Sequence, residues 1–412
     1  MWRPAPFRVS GSWETSPVSN RRVVIVGAGL AGLRTAEELR RAGFDGEVVL
    51  IGNENHLPYD RPPLSKEVIR GEKDQTTLKP AEFFDDKQID LRTGVAATGV
   101  DAAAKKVRLE DGSSIDFDDL IIATGLRPRR IPGFDDLAGV HVLRSMEEAM
   151  AMRAELREGA RALVVGAGFI GCELAASFRA LRVHVVLVEP QPTPLASVLG
   201  EKIGGLIARM HTDEGVDVRC GVGVESLVGE DRVRAAKLSD GSEVDLDLVV
   251  VGIGSVPVTD WLVDSGIELA EPSAGGGVLA DERGRTNIDS IWAVGDVAAW
   301  THTTGKQKRV EHWTNAGDQA RVLAKAIVGA EIPSGANVPY FWSDQYDIKI
   351  QALGTPSADD TVHLVEDDGR RFLAYYERDG VFTAVVGGGV PSKVMKLRAK
   401  LATPTPIADV LS

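Results

Sequence analysis

Val23-Val24-Ile25-Val26-Gly27-Ala28-Gly29-Leu30-Ala31-Gly32 is a β-branched run leading into a glycine fingerprint, and Leu163-Val164-Val165-Gly166-Ala167-Gly168-Phe169-Ile170-Gly171 repeats the pattern farther along the chain. Each stretch has the strand–turn–helix context that gives G-x-G-x-x-G its meaning. The first glycine makes the tight turn, the second lets the backbone approach a pyrophosphate, and the third lets helix and strand pack closely. The pyrophosphate then lies on the free N–H groups and positive end of the helix. Two such units followed by different sequence imply two dinucleotides in one protein, with electrons passing between them. The fold class is α/β, with two Rossmann-like dinucleotide-binding domains.

Working outward, hydrophobic periodicity predicts a βαβ unit from strand Arg22–Val26, helix Gly29–Ala42 and strand Val48–Gly52. Strands follow near Ala104–Leu109 and Leu120–Ala123, and the Pro/Arg-rich crossing from Arg127 to Pro132 reads as a boundary. The second unit places a helix at Gly171–Leu181 and a strand at Val183–Glu189, then a helix at Gly200–Glu214, a meander over Val218–Ser239 and a buried strand at Asp247–Ile253 closed by Gly254. The chain then returns to the first domain through Ser290–Val294, Gly295-Asp296-Val297 and a helix at Trp313–Val328. Pro333 to Pro339 reads as a linker to a small α+β domain of four strands, over 348–353, 361–365, 372–378 and 381–386, ending in a helix at Ser392–Leu401. The expected division is 1–20 as a flexible extension, 21–129 with 258–330 as one discontinuous domain, 130–257 as the second, and 331–412 as the third.

A chain of 412 residues has room for several cores. Its formal net charge of −13 argues against nonspecific nucleic-acid binding. Its two cysteines, Cys172 and Cys220, form no C-x-x-C pair and no metal pattern, and suit a reducing cytoplasm. No apolar run is long enough to cross a bilayer, and residues 1–20 lack a signal-peptide core.

Glu189 ends the strand after the second fingerprint, where a carboxylate accepts hydrogen bonds from both ribose hydroxyls and repels a 2′-phosphate. NADH is therefore expected over NADPH. In the first unit the corresponding strand ends in Asn53-Glu54, with the acid one place late, and either residue is a candidate ribose acceptor.

Leu57-Pro58-Tyr59-Asp60-Arg61-Pro62-Pro63-Leu64-Ser65-Lys66 follows, and later Thr124-Gly125 with Arg127, Gly295-Asp296-Val297, Glu311-His312-Trp313 and Phe341-Trp342-Ser343-Asp344-Gln345. From Arg21 onward the sequence resembles the FAD-containing, NADH-dependent ferredoxin reductases of bacterial cytochrome P450 and aromatic-ring dioxygenase systems, with the apoptosis-inducing factors as more distant relatives. The resemblance implies a glutathione-reductase-like FAD/NAD architecture without that enzyme's redox disulfide. It implies hydride transfer from NADH to FAD, then single electrons to a [2Fe–2S] ferredoxin, in a monomer or weak dimer.

It also implies roles for individual residues. FAD would be held by Gly27, Gly29, Leu30, Ala31, Asn53, Glu54, Arg61, Thr124, Gly125, Arg127, Gly295 and Asp296, the last on the ribityl chain. NAD would be held by Gly166, Gly168, Phe169, Ile170, Glu189 and Gly254. Lys66, paired with Glu173, and Trp313 would flank the flavin ring, with Glu311 and His312 at the N-terminus of the Trp313 helix. Trp342 reads either as interdomain core or as a flavin-edge residue. Lys393, Lys396, Arg398 and Lys400, or else Lys306, Lys308 and Arg309, would offer positive charge to an acidic ferredoxin. The glycine-rich 387–391 departs from the family pattern where partner contacts are expected. Two other readings fit the same motifs: an NADH flavoprotein reducing quinone, oxygen or rubredoxin directly, and a redox-gated association protein like the apoptosis-inducing factors.

Overall fold

The structure is a computed structural model that describes residues 20–134, 136–301, 305, 307–332 and 338–411. The expected extension over residues 1–19, Lys306 and most of the expected linker lie outside the described residues.

The first fingerprint sits in a five-stranded parallel sheet in the spatial order Ile291–Ala293, Asp119–Ile122, Arg22–Val26, Glu47–Ile51, Ile89–Arg92. Its strands are continuous Val/Ile/Leu runs because both faces are covered; Val23, Val24, Ile25, Val48, Val49, Leu50 and Leu120 to Ile122 are all 0% exposed. The outer strand Ile291–Ala293 comes from far along the chain and pairs with Leu120 to Ile122, so this core is built from two separate segments.

The second fingerprint repeats the plan, with strands ordered Asp217–Cys220, His184–Glu189, Arg161–Val165, Leu248–Val251, Val140–His141. The expected meander divides: Asp217–Cys220 joins this parallel sheet, while Val224–Gly229, Val233–Leu238 and Glu243–Asp245 form a separate antiparallel one. The helix expected at Gly200 begins earlier, at Ala196, and runs to Asp213. It bends at Gly200, whose φ of 75° breaks the helical path, as glycine permits without steric cost.

The third domain is a five-stranded antiparallel sheet ordered Tyr340–Gln345, Ile348–Gly354, Val381–Gly388, Phe372–Arg378, Thr361–Asp367. The single terminal helix expected from Ser392 is two short ones, Pro391–Met395 and Arg398–Leu401. The glycine run serves packing here. A Cβ at Gly388 would lie 2.5 Å from the Phe372 ring, and one at Gly387 would lie 2.7 Å from both Val390 and Val394.

One apolar core runs continuously from the second sheet's helices (Leu174, Phe178, Leu199, Ile203) into the third domain (Ile350, Phe372, Tyr376) and the loop at Leu64 to Ile69. Each such side chain, fully buried, contributes roughly 1.5–3 kcal/mol. The third domain is thereby fixed on the second, and their seam ends at the site described next.

Candidate functional site: two dinucleotide cradles meeting at a buried ion pair

The two fingerprints are near copies in space. Gly27 (φ +116°) turns under Ala123, where an added Cβ would lie 2.2 Å from the Ala123 carbonyl; Gly166 (φ +97°) does the same under Gly252, at 2.5 Å. The third glycines, Gly32 and Gly171, press on the turn itself, and a Cβ there would lie 1.9 and 2.0 Å from the Gly27 and Gly166 carbonyl oxygens. The middle glycines, Gly29 and Gly168, face open space and are the N-caps of helices Leu30–Arg41 and Phe169–Ala180. Neither helix has an acidic residue in its first turn or a side-chain cap. Their leading N–H groups and positive dipole ends thus face the open mouth and fit a pyrophosphate. Leu30 and Ala31 begin the first helix, and Phe169 and the exposed Ile170 begin the second.

Around the first cradle the polar groups are arranged for an anionic, hydroxylated ligand. Gly295 starts a short turn after Ile291–Ala293, and its N–H donates to Gln319 Oε1 at 2.8 Å. Asp296 follows, and burial raises its pKa against the pull of nearby Arg144, whose Nη2 is 3.6 Å from Asp296 Oδ2. Thr124 Oγ1 donates to the Val258 carbonyl at 2.7 Å, and the Gly125 carbonyl accepts from Val258 N at 3.0 Å.

Three sequence expectations change in detail. Arg61 donates to Glu54 (2.6 Å), and Tyr59 O–H also donates to Glu54, so Glu54 is engaged and Asn53 is the exposed candidate at the strand end. Arg127 pairs with Asp260 on the surface instead of reaching inward. The inward-facing cation is Arg144, which the sequence reading missed. Its Nε is shielded and has no hydrogen-bond partner among the described residues. Burial, with repulsion from Arg61, lowers its pKa. A half-buried guanidinium with a shielded, unpartnered Nε beside a carboxylate is a place for a ligand oxygen. Its one sequence signal was the capping box that follows, Ser145 with Glu148, whose carboxylate also accepts from Arg144 N at 2.7 Å.

In the second cradle, Glu189 Oε2 accepts from Ala167 N at 2.8 Å and Oε1 from Gln191 N at 3.0 Å, which places the carboxylate against the fingerprint turn. Gly254 follows strand Leu248–Val251, and its carbonyl accepts from Arg129 N at 2.9 Å.

The cradles converge on Lys66 and Glu173. Lys66 ends the turn Pro62–Ser65 of the first domain, and Glu173 lies on the second fingerprint helix. Lys66 Nζ donates to Glu173 Oε2 at 2.5 Å, with the residues 7% and 5% exposed. Ser65 Oγ donates to the same oxygen at 2.5 Å, and Ser343 Oγ of the third domain donates to Oε1 at 2.8 Å. Three domains thus close on one carboxylate. Ser343 was not singled out from sequence. A buried ion pair needs such extra donors to offset desolvation, and removing one partner costs about 3–5 kcal/mol.

Trp313 opens helix Trp313–Val328, and its Nε1 donates to Asp60 Oδ1 at 2.8 Å. Trp342 meets it edge-on at 6.2 Å between ring centroids, and Tyr340 stacks on Trp342 at 5.8 Å. His312 caps the helix with no side-chain bond, and its Nδ1 has no partner among the described residues. Burial first and Lys308 second lower its pKa to about 4, so the ring is neutral. Phe341 bridges His312 (4.9 Å) and Phe169 (5.2 Å). Glu311 pairs with Arg309 at 2.7 Å.

The expected cationic patches are largely engaged elsewhere. Lys393 pairs with Glu366 (2.5 Å), Lys400 Nζ donates to the Asp409 carbonyl, and Arg309 is tied to Gly275, Asp296 and Glu311. Arg398 instead lines an open groove of about 410 Å³ with Trp313, Tyr340 and the ion-paired Arg34, Arg41 and Arg321, whose partners are Glu37, Glu38 and Asp318. Burial raises the pKa of both cysteine thiols, Glu173 and Glu189 adding at Cys172 and Glu189 at Cys220, so neither is activated.

Residues 21–320 match the pyridine nucleotide-disulphide oxidoreductase family, and residues 340–410 match the reductase C-terminal family. The chain belongs to the pyridine nucleotide-disulphide oxidoreductases. It is 39% identical to a ferredoxin–NAD(P)(+) reductase of Sphingomonas sp, over 87% of each chain. It is 38% identical to the ferredoxin–NAD(+) reductase component of the p-cumate 2,3-dioxygenase system of Pseudomonas putida, over 88% of this chain and 86% of that one. Among solved structures, the covalent putidaredoxin reductase–putidaredoxin complex has a chain that superposes with a TM-score of 0.90 at 29% identity, covering 95% of this chain and 96% of that chain. Membership of this family implies FAD and NAD(H) as the two dinucleotides. Among the described residues no helix is long and apolar enough to cross a membrane.

Proposed function

We propose that this protein is an NADH-dependent ferredoxin reductase that serves a cytochrome P450 or aromatic-ring dioxygenase through a [2Fe–2S] ferredoxin. The observation that carries the reading is the convergence of two pyrophosphate cradles on the buried Lys66–Glu173–Ser343 junction. FAD belongs to the first cradle, with Asp296, Arg144 and the Leu30 helix, and NADH to the second, with Glu189 and the Phe169 helix. When bound, FAD supplies the step from two-electron to one-electron transfer.

The protein's own part is positioning and electrostatics. Glu189 offers two carboxylate oxygens to a ribose diol and repels a 2′-phosphate. Lys66 holds a positive charge where the first cradle meets the second fingerprint helix, and Glu173 with its serine donors holds Lys66 in place. The uncapped N-terminus at Trp313 adds a positive dipole end that favours the added negative charge. Phe169 and Phe341 meet edge-on across the seam between the second and third domains, 5.2 Å between ring centroids.

The ferredoxin docks at the groove lined by Arg398 and Trp313, where Arg34, Arg41 and Arg321 lie paired with Glu37, Glu38 and Asp318 and can exchange those partners for an acidic protein's carboxylates. The division 21–129 with 258–330, 130–257 and 331–412 is our assignment of domains, and the cytoplasm our assignment of place, supported by the free Cys172 and Cys220. Reversing charge with Arg321→Glu and Arg398→Glu tests the dock. Ferredoxin KM should rise about tenfold at low salt while NADH still bleaches FAD at the parental rate; an unchanged KM refutes this placement.

A further inference from the structure

A chain of hydrogen bonds runs along the seam between the second and third domains to the Lys66–Glu173 pair. His211 lies near the end of the kinked helix Ala196–Asp213, and its side chain points into the third domain. Its Nδ1 is 2.8 Å from Tyr346 Oη, and its Nε2 is 3.1 Å from Gln345 Oε1. Gln345 Nε2 donates to Ser343 Oγ at 3.1 Å, and Ser343 Oγ donates to Glu173 Oε1 at 2.8 Å. Ser343 and Gln345 are two apart on one strand and so share a face. His211, Gln345 and Ser343 are each 0% exposed, so water does not substitute for any link.

Donor and acceptor chemistry fixes the direction. Gln345 Oε1 only accepts, so His211 Nε2 carries the proton. Nδ1 is then the acceptor, and Tyr346 O–H the donor. Every link donates toward Glu173. Burial lowers the His211 pKa to about 4, consistent with the neutral ring this direction requires. The helix that carries His211 is held at its other end as well, where Tyr376 Oη donates to the Leu199 carbonyl at 2.7 Å beside the kink.

We propose that His211 is a positioning residue of the redox site: it fixes the Gln345 amide, which fixes the Ser343 hydroxyl as a donor to Glu173, and thereby sets how strongly Glu173 draws on the charge of Lys66. Without the His211 donor, the amide is free to rotate and present its oxygen to Ser343. The Ser343 proton then turns to Gln345 and away from Glu173. Glu173, short of one donor, binds Lys66 more tightly, and less positive field remains for reduced FAD. The inference rests on the reading that Lys66 flanks FAD.

The test is a redox titration of the FAD-loaded protein. His211→Leu should lower the equilibrium constant for two-electron reduction about tenfold, ~30 mV in midpoint potential. His211→Gln, which places an amide donor near the lost Nε2, should restore it to within about twofold. Ser343→Ala should give the same shift as His211→Leu, and the double variant no more than either. Independent shifts that multiply, or no shift with His211→Leu, overturn the relay. Selective 15N-histidine NMR of the unaltered protein gives a second readout that no folding defect affects. It should show His211 as the Nε2–H tautomer from pH 8 to pH 5; an Nδ1–H tautomer, or protonation near 6.5, overturns the proposal. Lys66→Met separates the layers. If it leaves the FAD equilibrium unchanged, the flavin-side reading of the pair fails and the relay with it. If it shifts the equilibrium and His211→Leu does not, the relay alone fails.

Discussion

Replacing Gly171 with alanine would tell the two cradles apart. The new Cβ would sit 2.0 Å from the Gly166 carbonyl oxygen, 3.2 Å from its carbon and 3.4 Å from Val164 Cγ1. A comfortable carbon–oxygen contact is about 3.3 Å, so turn and helix must separate by roughly an ångström. The obstacle is backbone, which no rotamer change relieves. The strain costs about 1–3 kcal/mol of stability, which a domain core of this size survives. The larger effect falls on the ligand, because N–H groups that reach a pyrophosphate at 2.7–3.2 Å do not tolerate such a shift. Losing one or two bonds to a charged group, at roughly 1.5–3 kcal/mol each, raises the NADH dissociation constant about 100-fold. Stopped-flow bleaching of FAD over a range of NADH concentrations measures it, and the absorbance ratio of purified protein reports FAD content. The account requires weak NADH binding with full FAD content. Gly32→Ala, whose Cβ would lie 1.9 Å from the Gly27 carbonyl, should do the reverse and release FAD. FAD loss from Gly171→Ala with NADH affinity intact would refute the order of the cofactors.

Other outcomes follow from the same geometry. Glu189→Ala should lower kcat/KM for NADH about 10- to 100-fold and narrow the preference over NADPH, measured with both coenzymes at constant ionic strength; an unchanged ratio removes Glu189 from ribose recognition. Arg144→Leu should weaken FAD retention about tenfold in fluorescence release, whereas Arg127→Leu, which loses only a surface pair with Asp260, should leave it unchanged. Acid should destabilise the protein through His211 and His312, whose pKa values burial lowers from 6.5 to about 4. Between those two values both residues take up protons more readily in the unfolded state, so their stabilising contribution is whole above pH 6.5, declines below it and is lost once pH drops through 4. Each contributes roughly 3 kcal/mol over that window. Denaturant midpoints between pH 7 and 4.5 should fall, and His312→Phe should flatten the slope.

Much of the site was legible because its strongest constraints are local. A fingerprint packs turn, cradle and helix start into a few neighbouring residues, so Gly27 to Gly32 and Gly166 to Gly171 announce themselves without tertiary information. The Lys66–Glu173 pair spans 107 positions and was reached only through the family pattern. Ser343 bonds Glu173 across 170 positions, and nothing about a serine on a strand reveals that its hydroxyl seals a distant ion pair. Arg144 escaped for the same reason, while Arg127, conspicuous beside Pro128, is held by Asp260. The C-terminal lysines looked like one positive face because a single helix was expected. The break between Met395 and Arg398 scatters them, and Glu366 claims Lys393. The helix was expected to begin at Gly200, but that glycine is a kink inside a helix that starts at Ala196, and a glycine alone does not tell a helix start from a bend.

The most direct test of the central claim is NADH-driven cytochrome c reduction by the FAD-loaded protein, with and without added [2Fe–2S] ferredoxins. The account predicts slow reduction alone and at least tenfold stimulation by a matching ferredoxin, suppressed by high salt. Rapid bleaching of FAD by NADH with direct reduction of quinone or oxygen, and no stimulation by any ferredoxin, would contradict it.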